Sequence, residues 1–340
     1  MTRVPKIIVS SIDSIFSNLA FEEYLISRKL SGDQSPVLFL WRNRPTITIG
    51  RHQNPWRECN LSALESHGVS LARRYSGGGA VFQDLGCTTF TFLHGLRPGE
   101  LPSDERLGRN FQVIVEALKK LGITAARQGR NDVAVDGLKV SGSAFKHHAE
   151  FFLHHGTVLV DSDLGALGRL LTPDKEKLLS KGITSVGARV GNLSNFVSGM
   201  NHSVMCDSII SAFSQDCNCQ VLPESLTPDS EELKDAVYRE HLVKLSDWNW
   251  RFGSTPEFSH NFRKRFEGIG VFDVHVSVMG GRIQKAKVFS DCLDVKIVGN
   301  LENLLIGCLY SECFIPLRNN NQLLFLADWV QEQVQDRAIP

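Results

Sequence analysis

Several features are missing from this 340-residue chain, and each absence excludes something. Net charge is missing: 37 Lys and Arg balance 37 Asp and Glu, so no bulk electrostatic pull toward nucleic acid or an anionic membrane is expected. No apolar run nears the roughly 20 residues that a membrane helix requires. The opening Met-Thr-Arg-Val-Pro-Lys-Ile-Ile-Val is neither a signal peptide nor an arginine- and serine-rich transit peptide. A cytoplasmic protein is the expectation, with a mitochondrial protein stripped of its presequence as the alternative. The eight cysteines form no Cys-x-x-Cys pair, and Cys217-Asn218-Cys219 has no partner pair nearby. That pattern argues against structural zinc and reads as reduced thiols. Repeats and low-complexity tracts are absent as well.

What is present is ordinary globular composition, 42% apolar and 22% charged, with a length that predicts about two domains. The chain is organised around Leu71-Ala72-Arg73-Arg74-Tyr75-Ser76-Gly77-Gly78-Gly79-Ala80-Val81-Phe82. A strand-like run enters two arginines, passes three glycines and leaves as another strand-like run. Consecutive glycines admit positive φ and close approach of a ligand to the backbone. Their N–H groups, with guanidiniums beside them, suit a phosphate or acyl phosphate. No Gly-Lys-Ser/Thr follows and no Gly-x-Gly-x-x-Gly is formed, so neither the Walker loop nor the dinucleotide fingerprint applies. The same residues would also make a plain glycine-rich hairpin with exposed arginines.

In chain order, Lys6–Val9 reads as a strand, and Ser17 or Asn18 offers a helix cap. Glu22 and Glu23 then fall in the early turns, where they suit the helix dipole. Pro36–Trp41 and Thr46–Gly50 read as strands, Arg51–Trp56 as a loop, and Leu61–His67 as a helix. Ser103 and Asp104 cap the clearest helix, whose Leu107, Phe111, Ile114, Leu118 and Leu121 make one apolar stripe. Asp136-Gly137 between short runs predicts a hairpin that brings Asp132 and Lys139 together across two strands. That pair is either a solvated ion pair or a site in which Asp132 holds magnesium and Lys139 holds a phosphate or carboxylate. His154 and His155 are adjacent on a strand, so they point to opposite faces and cannot share one ion.

These motifs together resemble the bacterial-type lipoate–protein ligase A family. The resemblance rests on Arg73-Arg74-x-Ser76-Gly-Gly-Gly-Ala-Val-Phe82 with Asp84-Leu-Gly86, on Gly129-Arg-Asn-Asp132, on Lys139-Val-Ser-Gly-Ser-Ala144 and on His154-His-Gly-Thr157. It extends through Trp41-Arg-Asn43, Gly50-Arg51, Gln53-Asn-Pro-Trp56, Lys181-Gly-Ile-Thr-Ser-Val186, Trp248-x-Trp250-x-Phe252-Gly253 and Val288-Phe-Ser-Asp291. It implies an α+β fold: a biotin/lipoate-protein-ligase-like catalytic domain with a class II synthetase-like core, over residues 1–247, and a small C-terminal α/β accessory domain over 257–340. The sequence itself places a charged, helix-like segment at Leu226–Val243 and an aromatic joint at Trp248–Phe258. Period-two alternation of Phe272, Val274, Val276 and Val278 then runs up to a Gly280-Gly281 turn, and Leu301, Leu304, Leu305 and Leu309 form a helix face.

The resemblance also implies the reaction. The carboxylate of lipoate attacks the α-phosphate of ATP, giving lipoyl-AMP and pyrophosphate. The ε-amine of an acceptor lysine then displaces AMP. Lys139 is the implied catalytic residue. ATP and lipoyl-AMP are implied to meet Arg74, Gly77, Gly78, Gly79, Ala80, Val81, Phe82, Asp132 and Lys139. Lipoate is implied to meet Leu19, Arg73, Ser76, Lys139, Ser143, His155 and Thr157, with Phe21 helping to wall the apolar tail. Mg2+ would sit on Asp132. The implied acceptors are lipoyl domains of 2-oxoacid dehydrogenase acyltransferases and the glycine cleavage H protein, met by a monomer. Gln83 and Cys87 depart from the family pattern, and Cys87 is read as a small buried packing residue. A lipoyltransferase fed with preformed lipoyl-AMP is the alternative. An octanoyltransferase would need a cysteine nucleophile in a Pro-Cys-Gly segment, which the chain lacks. A biotin ligase would need its own glycine–arginine loop, and a non-catalytic lipoate-binding protein would have no need for Lys139, Asp132 and the full glycine loop.

Overall fold

A computed structural model describes residues 4–96, 104–171, 190–292 and 294–336. Ser103 and the Lys181–Val186 motif lie outside the described residues. Those described within 4–51, 69–168 and 178–246 form one compact unit, and those within 52–68, 169–177 and 247–336 form another. The expected contiguous boundaries therefore miss that His52–Gly68 belongs with the second unit. Its Trp56 packs on Phe252, Phe258 and Tyr310, contacts between residues far apart in sequence that no local pattern announces.

The first unit runs β1 (Lys6–Ser10), α1 (Ile15–Leu30), β2 (Val37–Trp41), β3 (Thr46–Ile49), β4 (Ser70–Arg73), β5 (Val81–Gln83) and β6 (Cys87–Gly95). It continues with α2 (Asp104–Lys120), β7 (Ala126–Gln128), β8 (Asp132–Val135), β9 (Leu138–His147), β10 (Phe151–Leu159), α3 (His202–Asp216), β11 (Glu224–Leu226) and α4 (Ala236–Ser246). Eight strands form a mixed sheet in the order β11-β1-β2-β6-β10-β9-β8-β7, and β4-β3-β5 form a small separate sheet. The apolar face of the large sheet, with Leu38, Leu40, Phe90, Phe92, Val133 and Val158, packs against α2 and α3. The stripe expected on α2 is there: Phe111, Ile114 and Leu118 are buried in this core, and Leu107 and Leu121 pack at its edge.

Helix α1 begins earlier than expected. Its cap is Ser14, whose hydroxyl accepts the Ser17 N–H, not Ser17 or Asn18. Asn18 is fully buried and donates to the carbonyl of Ile12 and to Asn43, tying the β1–α1 turn to the chain after β2. Glu22 and Glu23 consequently sit a full turn deeper, buried rather than at the helix terminus. The segment expected to be helical from Leu226 is helical only from Ala236, after a short 3-10 turn at Glu231–Lys234. Leu226 itself closes β11 against β1, and Pro228 stops a helix from passing through.

The second unit holds an antiparallel sheet of β12 (Phe258–Phe266), β13 (Gly270–Met279) and β14 (Arg282–Ser290), with α5 (Val295–Leu305) and α6 (Leu324–Gln331). Phe272, Val274, Val276 and Val278 are buried on one face, as their alternation predicts. Gly280 and Gly281 turn between β13 and β14 at φ 60 and 73. Leu309 is not on the helix face: α5 ends at Leu305, and Gly307 at φ 84 leads the chain into a bridge between Leu309 and Arg282. Among the described residues no helix is long and apolar enough to cross a membrane.

Candidate active site

The other face of the large sheet carries the chemistry, and strand register decides which groups meet. One row runs Trp41, Thr89, Thr157, Gly142 and Asp132 across β2, β6, β10, β9 and β8. The next runs Phe39, Thr91, His155 and Ala144. Directly paired residues share a face, so these two rows form one surface. On β9 the pairing slips: Ala134 opposes Lys139 but Val133 opposes Ser141. The extra residue, Val140, drops into the core and puts Lys139 onto the same surface as Gly142. There the Lys139 ammonium meets the Asp132 carboxylate at 2.7 Å, both about one-third exposed. A Cβ on residue 142 would stand 2.7 Å from the ammonium, so glycine leaves its space. The hairpin that makes this possible turns at Asp136 and Gly137, with φ 50 and 78, the mirror-type geometry expected of Asp-Gly.

The glycine loop joins β4 to β5 and lies over the second row. Gly78, at φ +94, faces the Ala144 side chain, and a Cβ on Gly78 would meet Ala144 at 3.6 Å and Arg74 Nη2 at 2.8 Å. A Cβ on Gly50 would overlap the Gly78 carbonyl, so a second glycine seats the loop. Arg74 is 6% exposed and spends its guanidinium inward. It donates to the carbonyls of Thr48 (3.0 Å), Gly77 (2.7 Å) and Gly79 (2.8 Å) and to Ser76 Oγ (3.0 Å). With those carbonyls drawn in, the N–H groups of Gly77, Gly78 and Gly79 donate to nothing among the described residues, and all three glycines are exposed. Burial pulls the Arg74 pKa down to about 10, against the nearby Glu22, so it stays cationic at neutral pH. A buried cation below and free N–H donors above both favour an anion on this loop.

Beneath the loop runs a buried polar chain that sequence reasoning only half identified. Ser76 Oγ lies 2.6 Å from His155 Nε2, and His155 Nδ1 lies 2.9 Å from Glu22 Oε2. Thr91 donates to the same carboxylate at 2.6 Å, and Trp41 Nε1 donates to Thr91. Burial alone would raise the Glu22 carboxyl, but the His155 charge and the hydrogen bonds from His155 and Thr91 hold it below its ordinary value. Glu23 differs: burial raises it to about 7 against the pull of Lys146, 3.5 Å away. Lys146 also lies 4.9 Å from the ring of Tyr75, and Lys244 of α4 lies 5.3 Å from it, so ammonium groups from β9 and α4 flank the residue that leads into the loop.

Of the remaining expected residues, Ala80 and Val81 are half-buried where the loop enters β5, whereas Phe82, expected to meet ATP, is buried opposite Ile47. Leu19 and Phe21 are buried on α1 beside Glu22, and Phe21 packs on Phe39 of the second row. Ser143 faces the opposite way, toward His154, which burial holds well below its ordinary pKa. Arg73 is fully buried beneath the loop, donating to the carbonyls of Gly50 and Arg51. Arg73, Arg74 and Ser143 thus brace the site from within, whereas Lys139, Asp132, Thr157 and the glycines face outward on the shared surface or loop. Gln83 links Thr48 to Thr89 as a buried packing group. Cys87 is 1% exposed, and burial pushes its thiol up. Cys206, beside His202, is likewise buried and pushed up to about 12, so neither thiol is poised as a nucleophile. Among the described residues no three Asp, Glu, His or Cys gather as a metal cage. A lone carboxylate such as Asp132 fits an ion carried in on polyphosphate oxygens.

Glu22 is the residue of this buried polar chain that sequence reasoning did not single out. Its signal was two acids set inside the apolar run Leu19–Ile26, a pattern that costs burial of charge unless something pairs with it.

The model of the lipoyl protein ligase A/B catalytic domain matches residues 14–214, and that of the bacterial lipoate protein ligase C-terminus matches 255–316. Lipoate-protein ligase A of Psychrobacter cryohalolentis is 42% identical over 312 residues, 90% of this chain and 89% of that protein. Among solved structures, P. falciparum LipL1 in complex with lipoate is 32% identical, with TM-score 0.63 over 98% of this chain and 100% of that one. The bi-partite lipoate protein ligase of Thermoplasma acidophilum, described with its E2 lipoyl domain, is 25% identical, with TM-score 0.64 over 75% of this chain and 98% of that one.

Proposed function

From the premise that this chain belongs to the lipoate–protein ligase family, we propose that it joins free lipoate to ATP and then passes the lipoyl group to a lysine of an acceptor domain. In the first step the lipoate carboxylate attacks the α-phosphate, a P–O bond forms, and pyrophosphate leaves. Two anions must meet, so the barrier falls wherever positive charge and N–H donors are preorganised. Lys139 supplies a compact ammonium for both the carboxylate and the phosphate. The N–H groups of Gly77, Gly78 and Gly79, which donate to nothing among the described residues, donate to phosphate oxygens, and Arg74 holds the loop in that form while adding its buried charge. Mg2+ on Asp132 would neutralise further phosphate charge. The dithiolane tail lies along Leu19, Phe21 and Val81, with Ser76, His155 and Thr157 near the polar end.

In the second step the acceptor ε-amine attacks the lipoyl carbonyl, an amide forms, and AMP leaves. Lipoyl domains of 2-oxoacid dehydrogenase complexes and the glycine cleavage H protein are the proposed acceptors. The observation that carries this reading is the register of β9, which sets Lys139 and Asp132 on the surface over which the glycine loop lies. Lipoate-dependent exchange of labelled pyrophosphate into ATP tests it. Exchange is expected. Transfer from premade lipoyl-AMP without exchange would replace the ligase with a lipoyltransferase.

A further inference from the structure

Among the described residues no helix packs on one face of the accessory sheet, and that face does not resemble an idle surface. Its apolar side packs on α5 and α6, while the opposite side shows alternate residues of all three strands. Register sets them in rows: Ser259, Ser277 and Lys285; Asn261, His275 and Lys287; Arg263, Asp273 and Phe289. Phe289 is 56% exposed and sits edge-on to the His275 ring at 5.4 Å. A half-exposed phenylalanine near the end of an edge strand is costly to leave in water and is the kind of side chain that anchors protein interfaces.

Cations outnumber acids around it. Arg263, Arg265, Lys285 and Lys287 lie on this face against a single strand acid, Asp273, which is taken up by His275 at 2.9 Å. Arg265 and Lys287 each lean on an acid at the margin, Asp291 and Glu302. Arg263 and Lys285 are exposed; Arg263 stands opposite Asp273 in register, but neither cation forms an ion pair with an acid among the described residues. A local excess of cations on a chain of zero net charge is a patch, not a bulk property. Its small extent, the acids at its margin and the exposed aromatic on its edge strand favour a folded acidic partner over a polyanion such as nucleic acid.

We propose that the open face of β12–β14 docks the acceptor domain through an acidic patch of that domain, with Phe289 as the apolar anchor and Arg263 and Lys285 as its steering charges. This rests on the ligase reading above and adds a surface to it. Steering charges speed encounter and fix orientation, so their loss acts on capture of the acceptor and leaves adenylation alone.

The test uses the full chain with a purified acceptor lipoyl domain. Arg263→Glu/Lys285→Glu, and separately Phe289→Ala, should raise KM for the acceptor about tenfold, with kcat and lipoate-dependent pyrophosphate exchange unchanged. In the unmutated chain that KM should rise with salt, and in the double variant it should lose that dependence. Arg263→Ala/Lys285→Ala covers the case in which the reversed charge meets Asp273 and unfolds the sheet. An unchanged acceptor KM with exchange intact would overturn the docking face and leave the ligase. Loss of exchange in these variants would assign the face to adenylation and overturn docking. Duplex DNA retarded by the unmutated chain and not by the double variant would give the face to nucleic acid instead. An unmutated chain that neither exchanges nor lipoylates would remove the ligase reading, and docking with it.

Discussion

The two large sheets of this protein share a plan and differ in one respect. Each has an apolar face packed on helices and a polar face on the other side. In the eight-stranded sheet the polar face lies under α1 and the glycine loop, so Thr91, His155 and Glu22 are nearly or fully buried and bond to one another. In the three-stranded sheet the polar face is open, and Lys285, Lys287 and Phe289 stand in solvent. Burial turns the same alternation of side chains into a chemically tuned surface. A carboxylate under the loop is held charged by its neighbours and another is driven toward neutrality, while the open face keeps hydrated charges at long range. Polar patterning along a strand therefore does not reveal a site until it is known what covers it.

The comparison breaks most visibly at Lys139. Lys139→Ala on the covered side should lower pyrophosphate exchange by about a hundredfold or more while changing stability by no more than about 0.5 kcal/mol. Lys139→Arg should also be poor, because a planar guanidinium cannot occupy the space left by Gly142. Normal acceptor lipoylation by Lys139→Ala, with ATP and free lipoate, would reduce the residue to an ordinary strand lysine.

Gly78→Val comes next. A β-branched residue at φ +94 strains the backbone, and its Cβ displaces Arg74. Activity should be lost, with about 1–3 kcal/mol of stability. A melting temperature lowered by far more would make the glycine structural first, and near-normal activity would dismiss the loop as an anion cradle.

A subtler difference concerns Glu23. Its carboxyl is raised from 4.5 to about 7 by burial, so its contribution to stability is fully present below about pH 4.5 and is lost as pH rises through 7. Glu23→Gln should flatten that part of the stability curve, gaining on the order of 1–2 kcal/mol relative to the unmutated chain at pH 8. Parallel stability–pH curves for the two proteins would show that Lys146 already holds Glu23 ionised. The smallest effect belongs to the open sheet: Lys285→Ala should shift stability within about 0.5 kcal/mol in a denaturant melt. A larger loss would mean that this face is covered too.

Much of the site was legible in the residues. The glycine triplet, the Asp-Gly hairpin and the resulting Asp132–Lys139 pair depend on neighbours within a few positions, so local chemistry specifies them. The opposed directions of His154 and His155 follow from strand alternation and hold: one faces Ser143, the other Ser76 and Glu22. The role of Glu22 was not legible, because the helix start was placed at Ser17 or Asn18 and an acid near a helix N-terminus already has an ordinary explanation. Moving the cap to Ser14 removes that explanation. The affiliation of Trp56 was hidden for a different reason, since its partners lie about 200 to 250 positions away. A truncation near Gly253 would strip Trp56 of Phe258 and Tyr310, so it does not separate the two units cleanly.

By itself the sequence determined the elements and the chemical types: where strands alternate, where a loop needs glycine, which residues can carry charge to a phosphate, and which family they resemble. Those properties follow from backbone sterics and short-range periodicity. The tertiary structure alone decided which polar groups lose water. It took a strand register, a one-residue bulge at Val140 and a helix laid across the sheet to bury Glu22 against His155, turn Arg74 into the support of its own loop and aim Lys139 at the shared surface. Burial depends on everything that packs above a residue, and no stretch of chain contains that information locally.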